Sequence, residues 1–372
     1  MVKSIFFVCD HLKGGGAERI NLELANEFLT KGYRVYIFLL DGSDIKMKIP
    51  DDVVIIDLNI KFNKSLFRRS GKNINDNVKN QIYKYEIEKK PELIIVSYAY
   101  AYWLADLFLS ENVWLWVHGD ITHFNLKERV KNKKFKFLSL INEYRRIYLE
   151  KICFKKIFNH KNIIVINKDL YEFFVKNACP KEIRLIYNGI SNKKSLSVSG
   201  FDKRYDAIFV GRLSEEKQVD VAIRAFHDSE MLGKLAIVGD GVLKKELLDL
   251  CDELEINNRV DFIGWVDNPE EYIKQSKLLI SCSKTEGYGL VISEALILGV
   301  PVVAYGVSDG VIFQLDSPNL RLGIVEPENY EELINKINSI YKYPYSIKDA
   351  DKERLLLSHR FNDFENLVKI NS

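Results

Sequence analysis

The chain has no run of about 18 apolar residues, so hydropathy gives no membrane span. Its five cysteines, Cys9, Cys153, Cys179, Cys251 and Cys282, are odd in number, scattered, and form no C-x-x-C pair. That excludes a disulfide framework and a cysteine zinc site, and it points to a reducing cytoplasm. No D-x-D motif stands in a loop after an apolar run. Asp51-Asp52 follows Pro50, ahead of the apolar stretch 53–58, and reads as a turn. No metal and no cofactor are therefore expected. Internal repeats and low-complexity tracts are absent. The apolar start, Met1 to Cys9, is short and runs into Asp10, so it reads as a first core strand and not as a signal peptide.

The 372 residues suit two domains, and 47% hydrophobic content supports a large core. Net charge is only +2, but it is unevenly placed. Residues 1–195 hold 34 Lys+Arg and 22 Asp+Glu, giving +12; residues 196–372 hold 20 and 30, giving −10. Between Lys127 and Lys161 there are 12 basic and 3 acidic residues, interleaved with Phe135, Phe137, Leu138, Ile141, Tyr144, Tyr148 and Ile152. A basic helix with an apolar stripe suits the anionic inner face of a membrane, so peripheral membrane contact through this half is expected. A solvated face over a core stripe would read the same way locally. No recognition motif for nucleic acid accompanies the charge, and none is expected to bind.

Apolar runs and helical patterns alternate along the whole chain, which predicts α/β architecture with parallel sheets covered on both faces. Strands are expected at 5–9, 35–40, 53–58, 93–97, 113–117, 163–166 and 183–187, with helices at 17–30 and through 126–158. The Asn-, Lys- and Ser-rich stretch 191–200 breaks the pattern and reads as a linker. A second series follows at 207–210, 235–238, 260–263, 278–282, 302–304 and 323–325, with a helical tail at 347–370.

The strongest chemical signal is Glu286-Gly287-Tyr288-Gly289-Leu290-Val291-Ile292-Ser293-Glu294. An apolar run precedes it, and a helix is predicted over 291–298. Glu286 then lies just past a strand's C-terminal end, and Glu294 about two turns into the helix. Open α/β sheets bind ligands at such ends. The turn's N–H groups and the helix start form an anion site, and a carboxylate beside them accepts bonds from sugar hydroxyls. That combination suits an anionic sugar such as a nucleotide sugar. His118 ends the run Val113 to Val117 ahead of Gly119, again at a strand's C-terminal edge, with Asp120 as a weaker neighbour.

The nine-residue segment resembles the E-x7-E signature of glycosyltransferase family 4. Other elements of that family occur in order: Gly14-Gly15-Gly16-Ala17-Glu18-Arg19, then Val210-Gly211-Arg212-Leu213 through Lys217, Val238-Gly239-Asp240-Gly241, Gly264-Trp265-Val266, and Gly299-Val300-Pro301-Val302-Val303-Ala304. The resemblance covers most of the chain and is densest from Asp206 to Ala304. It implies the GT-B fold: two Rossmann-like, doubly wound parallel-sheet domains with the donor in the cleft between them. The domains would span 1–190 and 201–345, with 346–372 returning toward the first. Departures are Ser191 after Asn188-Gly189-Ile190, Asn167 where many relatives have serine, and the lack of a glutamate in Asp309-Gly310-Val311-Ile312-Phe313-Gln314.

The implied activity is that of a retaining, metal-independent, hexosyltransferase-type enzyme. It would move a sugar from a nucleoside diphosphate, by preference a UDP-sugar, to a glycan or lipid-linked acceptor in bacterial surface polysaccharide or lipopolysaccharide synthesis. By the same resemblance, Arg212 and Lys217 would meet the leaving diphosphate, Glu286 the sugar hydroxyls, Glu294 the ribose and His118 the transferring sugar. Gly15, Gly16, Gly241, Gly287, Tyr288, Gly289 and Leu290 would supply backbone contacts, and Val266 would read the base. A UDP-sugar epimerase of the same fold and a non-catalytic partner of another transferase are the alternatives. The intact set His118, Arg212, Lys217, Glu286 and Glu294 argues against the second.

Overall fold

The computed structural model describes residues 2–60, 74–98, 100–119, 137–191 and 202–369. They divide into two units, Met1–Tyr187 with Arg360–Ser372, and Asn188–His359. Of the linker expected at 191–200, residues 192–200 lie outside the described residues, as does Asp120.

The first unit is built on seven parallel strands: β1 (Ser4–Cys9), β2 (Arg34–Leu39), β3 (Val54–Asp57), β4 (Pro91–Ser97), β5 (Val113–Val117), β6 (Asn162–Val165) and β7 (Glu182–Leu185). Every residue of β1 is buried, as a strand covered on both faces requires. The order is β3-β2-β1-β4-β5-β6-β7. The chain winds outward from β1, then returns to place β4 on its other side. The reversal between β1 and β4 opens a crevice at their C-terminal ends. Helices α1 (Gly16–Thr30), α2 (Asp76–Lys89), α3 (Phe137–Phe158) and α4 (Lys168–Asn177) lie among the strands in sequence. Asn167 caps α4 by accepting from Leu170 N–H at 2.7 Å, a task serine performs equally well, which explains that departure.

The second unit repeats the plan with β8 (Tyr205–Val210), β9 (Leu235–Val238), β10 (Val260–Gly264), β11 (Ser276–Ser281), β12 (Val302–Tyr305) and β13 (Ile324–Val325). The order is β10-β9-β8-β11-β12-β13, so the switch falls between β8 and β11. Its helices are α5 (Val219–Asp228), α6 (Lys244–Glu253), α7 (Glu270–Lys274), α8 (Leu290–Ile297), α9 (Asp309–Gln314), α10 (Tyr330–Lys342) and α11 (Asp349–Glu353). α8 is buried from Ile292 to Ile297 and is apolar nearly all round, as a helix inside a layer must be.

The tail differs from the single helix expected at 347–370. It is α11 and then α12 (Leu357–Lys369), because the chain between them pairs with Ile190. Ile190 N–H donates to Leu355 C=O at 3.0 Å and Leu357 N–H to Ile190 C=O at 2.8 Å. Those bonds hold the segment extended and place 188–190 with the second unit. From Arg360 the chain belongs to the first unit. There Phe361 packs on Phe28 and Phe364 on Trp116, each with ring centroids 4.9 Å apart. Asn112 donates to Leu367 C=O at 2.9 Å.

Candidate functional site

In the first unit, Asp10, Tyr98 and His118 follow β1, β4 and β5 directly, at the crevice end of the sheet. Asp10 is 6% exposed and accepts from the N–H groups of Ala101 (2.7 Å) and Tyr100 (3.3 Å). It thus ties the end of β1 to the turn after β4. Burial pushes its carboxyl up to about 7 in spite of those two bonds. The sequence reading gave Asp10 no role in the site. The available signal was an acid directly between a fully apolar strand and a glycine loop.

Tyr98 has φ +82°, a left-handed backbone that costs a ring-bearing residue about 1–3 kcal/mol and often marks a functional site. Its ring lies 6.2 Å from that of His11 and 6.3 Å from that of His118. The His118 ring lies 4.3 Å from that of Trp116, tilted by 47°. Both its ring nitrogens are buried and lack a hydrogen-bond partner among the described residues. Burial lowers its pKa from 6.5 to about 3, so the ring is neutral at physiological pH. A neutral imidazole offers one N–H donor and one acceptor, which suits hydrogen bonding to a ligand.

The glycine loop is shaped by a side chain of its own helix. Gly15 is extended (φ 175°, ψ 164°), and a Cβ on it would sit 2.3 Å from Glu18 Oε2. The buried Glu18 therefore folds back over Gly15, with Oε1 3.2 Å from His11 Nδ1. A carboxylate at this point repels a diphosphate and favours hydroxyl donors. Gly15 and Gly16, the latter opening α1, consequently suit sugar hydroxyls better than phosphate. The sequence reading gave Glu18 no role in the site.

In the second unit the loops after β8 and β11 meet across the switch point. Lys217 donates to Glu286 Oε2, although 69 residues separate them; their side chains are 19% and 20% exposed. Ser283 Oγ stands 3.5 Å from the same oxygen. Lys284 N–H donates to Glu216 C=O at 2.8 Å, joining the two loops through the main chain. Arg212 pairs instead with Glu216 at 3.2 Å, and its side chain is 77% exposed. It stands on the same loop as Lys217, reaching into solvent.

Gly289 caps α8 with φ +79°, a conformation that favours glycine. Gly287, Gly289 and Leu290 are half-buried, whereas Tyr288 is 2% exposed and its side chain belongs to the core. Glu294 is the fifth residue of α8, little more than one turn in and not the two expected, since a turn takes 3.6 residues. It is 4% exposed. Gly239 and Gly241 act as close-packing positions: added Cβ atoms would lie 1.9 Å from Gly211 O and 2.3 Å from Leu213 O. They let the loop after β9 rest on the loop after β8. Val266 is half-buried on the loop after β10, beside Trp265, which is 63% exposed.

Known proteins share this plan. The family described as Glycosyltransferase Family 4 matches residues 14–194, and Glycosyl transferases group 1 matches 192–354. An uncharacterized glycosyltransferase of Haemophilus influenzae is 26% identical over 369 residues, 96% of this chain and 95% of that one. The O-antigen biosynthesis glycosyltransferase WclY of Escherichia coli is 28% identical over 210 residues, 54% of each chain. Among solved structures, Anabaena HepE in complex with UDP superposes with a TM-score of 0.70 at 18% identity, over 98% of this chain and 99% of that one. At that identity the likeness speaks for the fold.

Proposed function

Because this chain belongs to the family 4 glycosyltransferases, matched in both of its units, we propose that it is a retaining enzyme that transfers a sugar from a UDP-sugar to a glycan or lipid-linked acceptor of the bacterial surface. The observation that carries the reading is the Lys217–Glu286 pair at the switch point of the second sheet, beside the start of α8. When the bond from the anomeric carbon to the diphosphate breaks, the electron pair goes to the diphosphate oxygen. The Lys217 ammonium and the Arg212 guanidinium meet that charge, and the N–H groups at the start of α8 add to it. Glu286, fixed by Lys217, accepts from sugar hydroxyls. Neutral His118 serves as a hydrogen-bonding group. UDP is favoured because HepE was crystallised with it, and a surface-glycan acceptor because WclY builds O-antigen.

A thermal-shift panel with UDP, GDP, ADP and common UDP-sugars tests this. Saturation at about 100 times Kd adds roughly 2.7 kcal/mol of stability. The expected result is a selective UDP-sugar shift that EDTA leaves intact and that Glu286→Ala abolishes. No shift with any nucleotide would overturn the donor reading, and a shift lost in EDTA and restored by Mg²⁺ would overturn metal independence.

We further propose that the first unit docks on anionic membrane through α3. Among the described residues no helix is long and apolar enough to cross a membrane. On α3, Ile141, Tyr144, Tyr148 and Ile152 are 48–68% exposed, at the i, i+3, i+7, i+11 spacing of one face. Arg145, Lys155 and Lys156 flank that face and are exposed. The two acids of this stretch turn away: Glu143 and Glu150 are 16% and 11% exposed, with Arg146 3.7 and 3.1 Å from them. Each surface Lys or Arg adds about 1 kcal/mol toward an anionic bilayer. Arg145→Glu with Lys155→Glu is expected to lower partitioning onto phosphatidylglycerol vesicles by more than tenfold. Equal binding by that variant, or wild-type binding that is no weaker to neutral phosphatidylcholine, would refute it.

A further inference from the structure

The segment Asp309 to Gln314 drew notice only for lacking a glutamate, yet its last residue is among the best-connected buried groups. Gln314 is fully buried at the end of α9. Its amide nitrogen donates to Tyr288 C=O and, at 3.1 Å, to Gly310 C=O. Its amide oxygen accepts from Ser293 Oγ on α8 at 2.6 Å. The backbones close on each other at the same place, since a Cβ on Gly310 would lie 2.2 Å from Gly287 O. Arg354 clamps the other side, donating to Phe313 C=O and Gln314 C=O at 2.6 Å each. One primary amide thus satisfies two carbonyls and one hydroxyl, and of the common side chains only glutamine and asparagine offer that donor and acceptor set.

We infer that Gln314 is a positioning residue for the donor site: it fixes the Tyr288 peptide, and with it the direction of Glu286 and of the N–H groups entering α8. The inference rests on the reading of that loop as the donor cradle. Peptide planes are rigid, so a carbonyl pulled toward Gln314 turns the adjoining N–H groups to the opposite side. No ligand contact by Gln314 is involved.

Gln314→Glu tests positioning through a titratable change, read as UDP affinity in protein shown to be folded at each pH. As a carboxylate, the substituted side chain faces two carbonyl oxygens that have lost their donor; once protonated, it donates to one of them again. Burial raises the pKa of such a carboxyl. The acids on surrounding elements, Glu294 on α8, Asp309 on α9 and Asp351 on α11, raise it further, and Arg354 opposes them.

The experiment is calorimetric titration of UDP into the full-length protein at pH 8 and pH 6. Gln314→Glu is expected to bind about tenfold more weakly than wild type at pH 8, the equivalent of a buried carbonyl left without its donor, and to recover most of that at pH 6. Gln314→Ala should be weak at both. Should Gln314→Glu not fold at pH 8, Ser293→Ala removes the hydroxyl that holds the amide oxygen, and a severalfold loss of UDP affinity is expected in protein that circular dichroism shows to be folded. Wild-type affinity in folded Gln314→Glu at pH 8, a loss equal at both pH values, or unchanged affinity in Ser293→Ala would overturn the inference. Absence of UDP binding by wild type would instead bring down the UDP donor reading, and this inference with it.

Discussion

Lys217→Ala is expected to lower the turnover rate by about 10²–10³ while the protein remains folded, the usual scale for one group that stabilises developing charge. The side chain is a partner of Glu286 and is mostly covered, so its removal has two consequences. The leaving diphosphate loses a cation held in place before the reaction. Glu286 loses the donor that orients it and keeps, among the described residues, Ser283 Oγ at 3.5 Å. The two residues should therefore act as a unit. Glu286→Ala should be of similar severity, and the double variant little worse than either single one, a non-additivity expected of contacting catalytic groups. The measurement is UDP release from whichever UDP-sugar stabilises the wild type, with water as acceptor. Activity of Lys217→Ala within threefold of wild type, or strictly additive effects, would sink the idea. Arg212→Ala should cost less, because its guanidinium is exposed and solvent screens it.

His118→Phe is expected to move stability and activity in opposite directions. The ring sits on Trp116 with both nitrogens buried and without a partner among the described residues. A phenyl ring of similar shape removes two desolvated polar atoms, which should stabilise the fold by about 1–3 kcal/mol. It also removes the group proposed to hydrogen-bond the transferred sugar, so turnover should fall by roughly 10² or more. Stability gained at the expense of activity is what a site kept for chemistry shows.

The pH dependence supplies a second readout. His118 titrates near 6.5 when unfolded and about 3 when folded, so the unfolded chain binds the extra proton between those values, and stability falls on acidification. Asp10 titrates near 3.8 unfolded and about 7 folded, so the folded chain binds the extra proton and stability rises on acidification. From about pH 6.5 to 3.8 the two slopes cancel in the wild type. In His118→Phe the His118 slope is gone, and denaturation midpoints should climb relative to those of wild type as pH falls through that window. A variant less stable than wild type, or equally flat with pH, would show that the ring is satisfied by groups outside those described here.

The strands were legible because parallel sheets bury both faces, and so each strand is a short continuous apolar run. The run Val113 to Val117 and the strand β5 coincide residue for residue. The turn at Gly289 was legible for a similar reason, since a glycine turn ahead of a helix is a local matter. The tail was misjudged because its interruption is not local. Nothing near Leu355 signals a break, and the bonds that cause it come from Ile190, 165 positions earlier. Glu18 and Asp10 were passed over because an acid after a glycine loop or an apolar run looks like a surface charge until the surrounding chain buries it.

Taken alone, the sequence determined the two α/β halves, their opposite charge, the family, and the loops on which Arg212, Lys217, Glu286 and His118 stand. These follow from hydrophobic period and motif spacing, which are written along the chain. Only the tertiary structure decided that Lys217 reaches Glu286 while Arg212 turns to Glu216, that Glu18 fills the space Gly15 leaves, and that Gln314 holds Tyr288 in place. Each of those depends on which strands become neighbours. Strand order brings residues dozens of positions apart within a hydrogen bond of one another, and local periodicity carries no record of it.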